Sequence, residues 1–304
     1  MITLPISLRI GVLRGGPSPE YDVSLQSGGH VLQNLSNTHK PFDIFISKDG
    51  TWHIHGIERS RERILKQLDV VWNALHGSYG EDGKLQELLS HHGIKYTGSD
   101  KFASAIAMNK AMAKEQVKVA GIKTPVSIIV RREDSMIDKA KEIFNSIPHP
   151  LMVKPTCGGS SIGLYIVRTF NELLSALEQV LSVHGSAIVE EYISGKSVSG
   201  FITEDFRNQP IYTFPAIVTS SGSVSTKETR AVEDMAKQVH NMLQLSHYSK
   251  SDFIVSPRRG IYFLEVNTVP KLEKKSLLLQ ALETVGVDTV HFIHHMLSLA
   301  VNRK

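Results

Sequence analysis

The chain has 304 residues, of which 41% are apolar and 21% are charged, so it can bury the cores of two or three domains. Its net charge of +4 comes from lysines and arginines scattered among 30 acidic residues, a pattern that argues against nucleic acid as a partner. No apolar run approaches the roughly 18–20 residues that span a bilayer, so we expect no membrane partner. The N-terminus does not resemble a signal peptide, and the single cysteine, Cys157, fits a reducing compartment, so we expect a cytoplasmic protein.

Strand and helix patterns alternate over the first hundred residues. Buried or half-buried strands are predicted at residues 8–13, 42–47, 51–55 and 69–75. Asp49-Gly50 predicts a hairpin turn, Ser24 is a candidate cap for the first helix, and a second helix is predicted over 84–91. This alternation is typical of a largely parallel, doubly wound sheet.

The rest of the chain predicts a smaller sheet followed by a third region. Helices are predicted over residues 108–119 and 171–183, and strands of the smaller sheet over 127–130, 151–155 and 164–167. We assign the strand at 187–192 to the third region, which also contains strands at 252–255 and 261–266 and two closing helices. The predicted domains are therefore residues 1–97, 98–186 and 187–304.

Two glycine-containing loops directly follow strands of the first domain, where a doubly wound sheet binds its ligands. Glu20 lies in the first loop, and its carboxylate could hold an ammonium group. His76 lies in the second loop, L-H-G-S-Y-G-E-D-G-K, and could orient a substrate carboxylate. The alternatives are an ordinary turn for the first loop, and for the second a helix-entry loop with Glu81 and Asp82 near the helix N-terminus.

A candidate phosphate-binding hairpin follows the strand at 151–155. In K-P-T-C-G-G-S-S-I-G-L, Lys154 supplies positive charge, while backbone N–H groups and the hydroxyls of Ser160 and Ser161 can bind phosphate oxygens. The lysine precedes the glycines, so this is not a Walker A loop. A plain hairpin is the alternative, but it would not require Lys-Pro followed by Gly-Gly-Ser-Ser.

A candidate metal site lies near the C-terminus. Asp252 begins one predicted strand, and Glu265 and Asn267 alternate on one face of the next. Three oxygen ligands from adjacent strands suit Mg²⁺ that bridges the phosphates of ATP. Solvent-facing polar residues are the alternative, although Glu265 stands between Leu264 and Val266 in a strand that looks buried.

With these motifs in this order, nearly the whole chain resembles the D-alanine–D-alanine ligases, a family with the ATP-grasp fold. The most specific stretches are residues 76–110, which contain Y-T-G-S and A-M-N-K, residues 154–163, and H-Y-S-K-S-D-F at 247–253. The resemblance implies an α/β (α+β) ATP-grasp fold of three subdomains with an N-terminal doubly wound parallel sheet. It also implies a homodimer that joins two D-alanines through an acyl phosphate, for peptidoglycan precursor synthesis.

The same resemblance implies roles for individual residues. Those expected to bind the ATP phosphates are Lys110, Lys154, Ser160, Ser161 and Gly163. Those expected to hold the adenine are Glu190, Glu191 and Ile193. Two Mg²⁺ ions, for which Mn²⁺ could substitute, would be bound by Asp252, Glu265 and Asn267. The first D-alanine would meet Glu20 and His76, and the second would meet Ser276 and Leu277. The residues expected to act directly in catalysis are Glu20, Ser160 and Lys250.

The chain departs from the family pattern at four places. Ser197 replaces a glutamate that anchors the ribose, Lys250 replaces an oxyanion-stabilising arginine, and Lys271 replaces the glycine of N-T-x-P-G. Lysine keeps the charge of arginine but loses its planar fork. The long loop that covers the site in the family is missing between Pro215 and Val232, where Lys227 could replace its phosphate-binding lysine. Two alternatives follow: a degenerate nucleotide-binding regulatory paralogue, or a ligase whose acceptor is D-lactate or D-serine.

Overall fold

Three β-sheets and the helices around them make up residues 7–159 and 163–303, which are the residues that the computed structural model describes. The first sheet has the order β4-β3-β2-β1-β5-β6. Its strands are β1 (Arg9–Gly15), β2 (Lys40–Ile46), β3 (Trp52–Ile54), β4 (Ile57–Glu58), β5 (Val70–Asn73) and β6 (Lys95–Tyr96). Its helices are α1 (Tyr21–Asn34), α2 (Arg61–Leu65) and α3 (Lys84–His91). Strands β2, β1, β5 and β6 run parallel, which confirms the largely parallel sheet.

Ser24 is not a helix cap, so that prediction is wrong. Helix α1 begins earlier, at Tyr21, and Ser24 is buried in its first turn. Its Oγ accepts a hydrogen bond from the Gly15 N–H at 2.9 Å and donates to the Ala74 carbonyl at 2.8 Å. The hydroxyl therefore links the carboxyl ends of β1 and β5, which places the loops after these two strands side by side.

The second sheet has the order β7-β10-β8-β9. Its elements are α4 (Lys101–Met108), α5 (Lys110–Val119), β7 (Ser127–Arg131), α6 (Met136–Ser146), β8 (Leu151–Pro155), β9 (Tyr165–Val167), α7 (Phe170–His184) and β10 (Ser186–Glu191). The helix predicted over 108–119 is α5, which begins two residues later because the Asn109 side chain caps it, and α4 is a separate helix before it. Strand β10, which we had assigned to the third region, pairs with both β7 and β8. A boundary that keeps this sheet whole therefore falls after Glu191.

The third sheet has the order β12-β11-β13-β14. Its elements are β11 (Lys196–Phe206), β12 (Gln209–Val218), α8 (Thr226–Met242), β13 (Tyr248–Ser256), β14 (Gly260–Asn267), α9 (Leu277–Thr284) and α10 (Thr289–Val301). One face of the sheet, including Val198, Phe253 and Phe263, packs on α5 and α8. Successive residues of a strand face opposite sides, and a β-bulge at this point gives β14 one extra residue between Phe263 and Glu265. Asp252 and its register partner Glu265 therefore lie on the other face.

The first and third sheets share a core. Helix α10 packs Phe292 and Met296 in one cluster with Val12 and Trp72 of the first sheet and Phe214 of the third. This shared core brings the loops of the first sheet towards the open face of the third. No helix among residues 7–159 and 163–303 is long and apolar enough to cross a membrane.

Candidate active site

A cavity of about 350 Å³ lies between the strand-end loops of the first sheet, the open face of the third sheet and residues 269–278. Eight of the residues predicted from the sequence line it. They are Glu20, His76, Lys250, Asp252, Glu265, Asn267, Ser276 and Leu277. The structure thus collects at one place residues that stand far apart along the chain.

The candidate metal ligands lie on the floor of this cavity. Asp252 and Glu265 are register partners on β13 and β14, and Asn267 follows on the same strand as Glu265. The Ser199 hydroxyl donates to Asp252 Oδ1 at 2.6 Å, and Lys250 Nζ lies 2.7 Å from Asp252 Oδ2. No group of three or more His, Cys, Asp or Glu side chains suited to a metal occurs among the described residues. The donor set here is two carboxylates and an amide oxygen, which are hard ligands of the kind Mg²⁺ takes.

Lys110 connects these ligands to the glycine-rich loop. Its Nζ lies 3.1 Å from Glu265 Oε2 and also donates to the Gly158 carbonyl. Burial alone would raise the pKa of Glu265, but the charges of Lys110 and Lys154 outweigh burial and lower it. Glu265 is therefore ionised near neutral pH and available to a cation.

The glycine-rich loop passes directly over Glu20. A Cβ atom on Gly159 would lie 2.9 Å from Glu20 Oε2, so any larger residue at this position would push the Glu20 carboxylate aside. Gly163, at the far side of the loop, has a φ of 73°. Ser160 and Ser161 lie outside the described residues. The backbone nevertheless brings the predicted phosphate loop to the predicted ammonium site.

Lys154 belongs to a buried cluster of charges. Its Nζ lies 2.8 Å from Glu190 Oε2, and Lys114 binds the other carboxylate oxygen of Glu190. Burial raises the pKa of Glu190, but the two lysines more than compensate and lower it. Next along β10, the Glu191 carboxylate accepts two hydrogen bonds from Arg259, at 2.7 and 3.0 Å. Both glutamates at this strand end thus have cationic partners within the protein.

His76 is buried and neutral. Its pKa is lowered to about 3, chiefly by burial and then by the charge of Lys271. Nδ1 lies 3.0 Å from the Val269 carbonyl, and since a carbonyl can only accept, Nδ1 carries the proton and donates it. The neutral ring has no second N–H, so Nε2 accepts a hydrogen bond from the Ser27 hydroxyl at 2.8 Å. The histidine therefore fastens the second strand-end loop to the segment that follows β14.

Glu81 fastens the same two segments. Its carboxylate accepts from the Gly77 N–H at 2.8 Å and from the Val269 N–H at 3.1 Å. Burial raises the pKa of Glu81 to about 7. Glu81 thus joins the second strand-end loop of the first domain to Val269, which lies in the opposite wall of the cavity.

The N-terminus of α9 opens into the cavity. Ser276 caps this helix by accepting from the Leu279 N–H at 3.3 Å, and Leu277 is its first residue. The first turn of a helix carries unsatisfied N–H groups and the positive end of the helix dipole. This wall of the cavity is therefore suited to an anionic group such as a carboxylate.

Comparison with known proteins agrees with this arrangement. The family model described as D-ala D-ala ligase N-terminus matches residues 9–65 and 53–99, and the model for D-ala D-ala ligase C-terminus matches 116–222 and 212–298. A protein of Geobacter sulfurreducens named D-alanine–D-alanine ligase is 34% identical over 306 residues, covering 95% of this chain and 93% of its own. The chain belongs to the D-alanine–D-alanine ligase family.

Solved structures of this ligase family have the same fold. D-alanine–D-alanine ligase from Bacillus anthracis complexed with ATP is 27% identical, with a TM-score of 0.80 and 97% of each chain covered. VanG D-Ala:D-Ser ligase from Enterococcus faecalis is 26% identical, with a TM-score of 0.85, covering 97% of this chain and 99% of its own. The fold is therefore ATP-grasp, as the sequence predicted.

Two departures from the D-alanine–D-alanine ligase pattern have structural consequences. Lys271 does not have a positive φ, so it does not carry the backbone strain that a lysine in place of glycine would cause there. Its side chain instead enters the cavity, with Nζ 3.6 Å from Glu20 Oε1. Lys227 lies in the first turn of α8 and lines a separate depression with Lys123 and Ile261.

The segment between Pro215 and Val232, where the covering loop of the ligase family is missing, is hydrogen-bonded to the start of β11. It forms the end of β12, a short connection and the start of α8. The Thr219 N–H donates to the Ser197 carbonyl at 2.9 Å, and the Ser220 hydroxyl accepts from the Ser197 N–H at 3.0 Å. These bonds fasten the connection to the first residues of β11.

Three residues that contribute to the site were missed from the sequence. The sequence pattern presents Glu81 only as a helix-entry residue, whereas in the structure Glu81 and His76 both bond to Val269. Ser199 alternates with Ser197 along β11 and so shares the face that bears Asp252. Lys114 follows Lys110 by one helical turn on the apolar side of α5, and a lysine at such a position is a signal of a buried partner.

Proposed function

We propose that this chain is an ATP-dependent ligase that joins two D-alanines through an acyl phosphate and supplies the dipeptide for peptidoglycan precursors. The observation that carries the proposal is the composition of the 350 Å³ cavity. An ammonium acceptor, a set of hard oxygen ligands and a helix N-terminus line the same volume. These are the groups needed for an amino acid, a magnesium nucleotide and a second carboxylate.

We propose that the first D-alanine binds with its ammonium group at Glu20. The glycine-rich loop above Glu20 and the lysines Lys110 and Lys154 bind the phosphates of ATP. A carboxylate oxygen of the amino acid attacks the γ-phosphorus, the bond from that phosphorus to the bridging oxygen breaks, and ADP leaves with the electron pair. Positive charge held in place beforehand stabilises the charge that develops in this step, and positioning does most of the rest.

The second D-alanine would bind with its carboxylate at the N-terminus of α9, near Ser276 and Leu277. The ammonium group first gives one proton to solvent, and the amine nitrogen then attacks the acyl carbon. The bond from that carbon to the phosphate oxygen breaks, inorganic phosphate leaves with the electron pair, and the nitrogen loses one further proton to the phosphate or to solvent and keeps one as the amide N–H. Lys250, which lies 2.7 Å from Asp252, supplies positive charge on the same side of the cavity. Residues 269–278 exclude water from the acyl phosphate along this wall.

Asp252, Glu265 and Asn267 would hold the two Mg²⁺ ions. When bound, these ions neutralise negative charge on the phosphate oxygens. We propose that the adenine lies at the end of β10, against the main chain of residues 190–193, because the side chains of Glu190 and Glu191 are engaged by lysine and arginine.

The test measures phosphate release and dipeptide formation together, with ATP, Mg²⁺ and D-alanine. We expect one dipeptide per phosphate, and a loss of at least about 10²-fold in rate for Asp252→Ala. Asp234→Ala, an exposed aspartate on α8, is the matched control and should keep full activity. Neither product, with nucleotide binding intact, would refute the ligase and leave a nucleotide-binding regulatory paralogue.

A second acceptor has one observation in its favour, namely the similarity to VanG D-Ala:D-Ser ligase. Phosphate released without the D-alanine dipeptide would point to another acceptor. The same assay repeated with D-serine and with D-lactate distinguishes these cases by the mass of the product.

We also propose three subdomains, at residues 1–97, 98–191 and 192–304, with the second boundary moved so that β10 stays in its sheet. The cytoplasmic location and the homodimer remain predictions. Light scattering coupled to size-exclusion chromatography tests the dimer, because a monomer mass would contradict it.

A further inference from the structure

The ammonium group of Lys271 lies at the carboxylate that we assign to the ammonium of the substrate. Lys271 Nζ is 3.6 Å from Glu20 Oε1, and the two residues come from opposite walls of the cavity. The Glu20 side chain is almost fully buried, at 7% exposure, whereas that of Lys271 is 39% exposed. A buried carboxylate beside a half-exposed lysine is a site where one cation can replace another.

The charge of Lys271 also reaches two buried groups of the first domain. Its charge contributes to lowering the pKa of His76 and opposes the rise in the pKa of Glu81, and both groups are buried in the walls of the cavity. Lys274 and Lys275, which follow in the same segment, are exposed. Lys275 also lines the cavity, but it is Lys271 that forms the ion pair with Glu20.

We propose that Lys271 is a built-in competitor for the donor subsite, whose ammonium occupies Glu20 until the first D-alanine displaces it. This inference rests on the proposed function, because it takes Glu20 as the ammonium acceptor. Gly77 and Gly159 close over Glu20 Oε2, since a Cβ atom on either would lie 2.9 Å from it. The oxygen left for an ammonium group is therefore Oε1, which Lys271 faces, so substrate and lysine compete for the same oxygen. Glu273 lines the same cavity and offers the displaced lysine a second carboxylate.

The consequence is a residue that sets donor affinity and specificity. Each binding event must first break the ion pair between Lys271 and Glu20. For a partly exposed pair this weakens binding by about two- to tenfold. A donor without an α-ammonium group would not need to break the pair. Lys271 therefore reduces the difference in affinity between amino acids and 2-hydroxy acids as donors.

The first experiment measures how fast each lysine is methylated by formaldehyde and borohydride, followed by mass spectrometry of the full chain. D-Alanine added with Mg²⁺ and ADP should raise the labelling rate of Lys271 by about two- to tenfold, because displacement exposes its amine. Lys274 is the internal reference and should not change. A fall in Lys271 labelling while D-alanine binds would overturn the proposal, because it would mean that the lysine holds the substrate.

The second experiment compares variants of similar length by calorimetric titration of D-alanine. Lys271→Met should bind D-alanine about two- to tenfold more tightly than the natural chain, and Lys271→Arg should stay close to it because the charge remains. Lys274→Met is the control and should not alter binding. Equal or weaker binding by Lys271→Met would overturn the inference.

The outcomes separate this inference from the proposed function. Tighter D-alanine binding by Lys271→Met, with neither phosphate release nor dipeptide from the natural chain, would support the competitor and refute the ligase. Dipeptide formation by the natural chain, with D-alanine binding unchanged in Lys271→Met, would support the ligase and refute the competitor. Failure of both the natural chain and Lys271→Met to bind D-alanine would refute the competitor, because removing the lysine would not have opened the subsite.

Discussion

Replacing Lys114 by methionine should destabilise the protein far more than the same replacement of an exposed lysine on the same helix. The side chains of Lys114 and Glu190 are only 1% and 2% exposed, so the variant leaves a carboxylate inside the protein with one cationic partner fewer. Removing one partner of a buried pair costs about 3–5 kcal/mol. Lys154 stays 2.8 Å from Glu190, so we expect the lower end, about 3 kcal/mol.

Lys118→Met is the matched control, one helical turn further along α5. Lys118 pairs with Glu115 at 2.6 Å, but these side chains are 41% and 72% exposed, so its loss should cost about 0.5 kcal/mol or less. Urea unfolding followed by circular dichroism measures both variants at pH 6, where Lys114, whose pKa burial lowers to about 7, carries its charge. A cost below about 1 kcal/mol for Lys114→Met, or equal costs for both variants, would refute the reasoning that Glu190 depends on Lys114.

Two further predictions concern the site itself. Ser199→Ala removes the 2.6 Å hydrogen bond to Asp252 and should raise the Mg²⁺ concentration for half-maximal activity by about tenfold, whereas Ser251→Ala, whose hydroxyl has no partner, should not. An unchanged Mg²⁺ titration would contradict the ligand role of Asp252. The pKa of Glu81, raised to about 7 in the folded protein, lies above its unfolded value, so the stability it contributes is lost as pH rises from about 4.5 to 7. Relative to Glu81→Gln, the natural chain should therefore lose about 2 kcal/mol of unfolding free energy between pH 5 and 8, and parallel pH profiles in urea unfolding would contradict this.

The best-predicted elements are those whose signal is local. The helix predicted over 84–91 has these bounds in the structure, and the strand at 151–155 does as well. In both cases apolar periodicity and flanking residues suffice. The hairpin at Asp49-Gly50 is confirmed for the same reason, because its turn chemistry is contained in two residues.

The elements that were missed depend on partners that are distant in the chain. Strand β11 contains Lys196, Ser197, Ser199 and Gly200, and these polar and glycine residues weaken its strand pattern. It is stable because β12 and β13 pair with it on both sides. Strand β10 was assigned to the wrong sheet for a related reason, since a strand pattern does not specify which neighbours will hydrogen-bond to it.

The sequence by itself determined the family, the types of residue in the site and the order of its motifs. The glycines in the loop after β8 and the spacing of Glu265 and Asn267 are local features that can be read from the sequence without a structure. Only the tertiary structure decided which charges meet. Lys271 with Glu20 and Lys114 with Glu190 are contacts between distant segments, and they depend on how the sheets pack and on how much water is excluded. Because the strength of an ion pair depends on distance and burial, and neither can be read from a one-dimensional pattern, these pairings could not be derived from the residues alone.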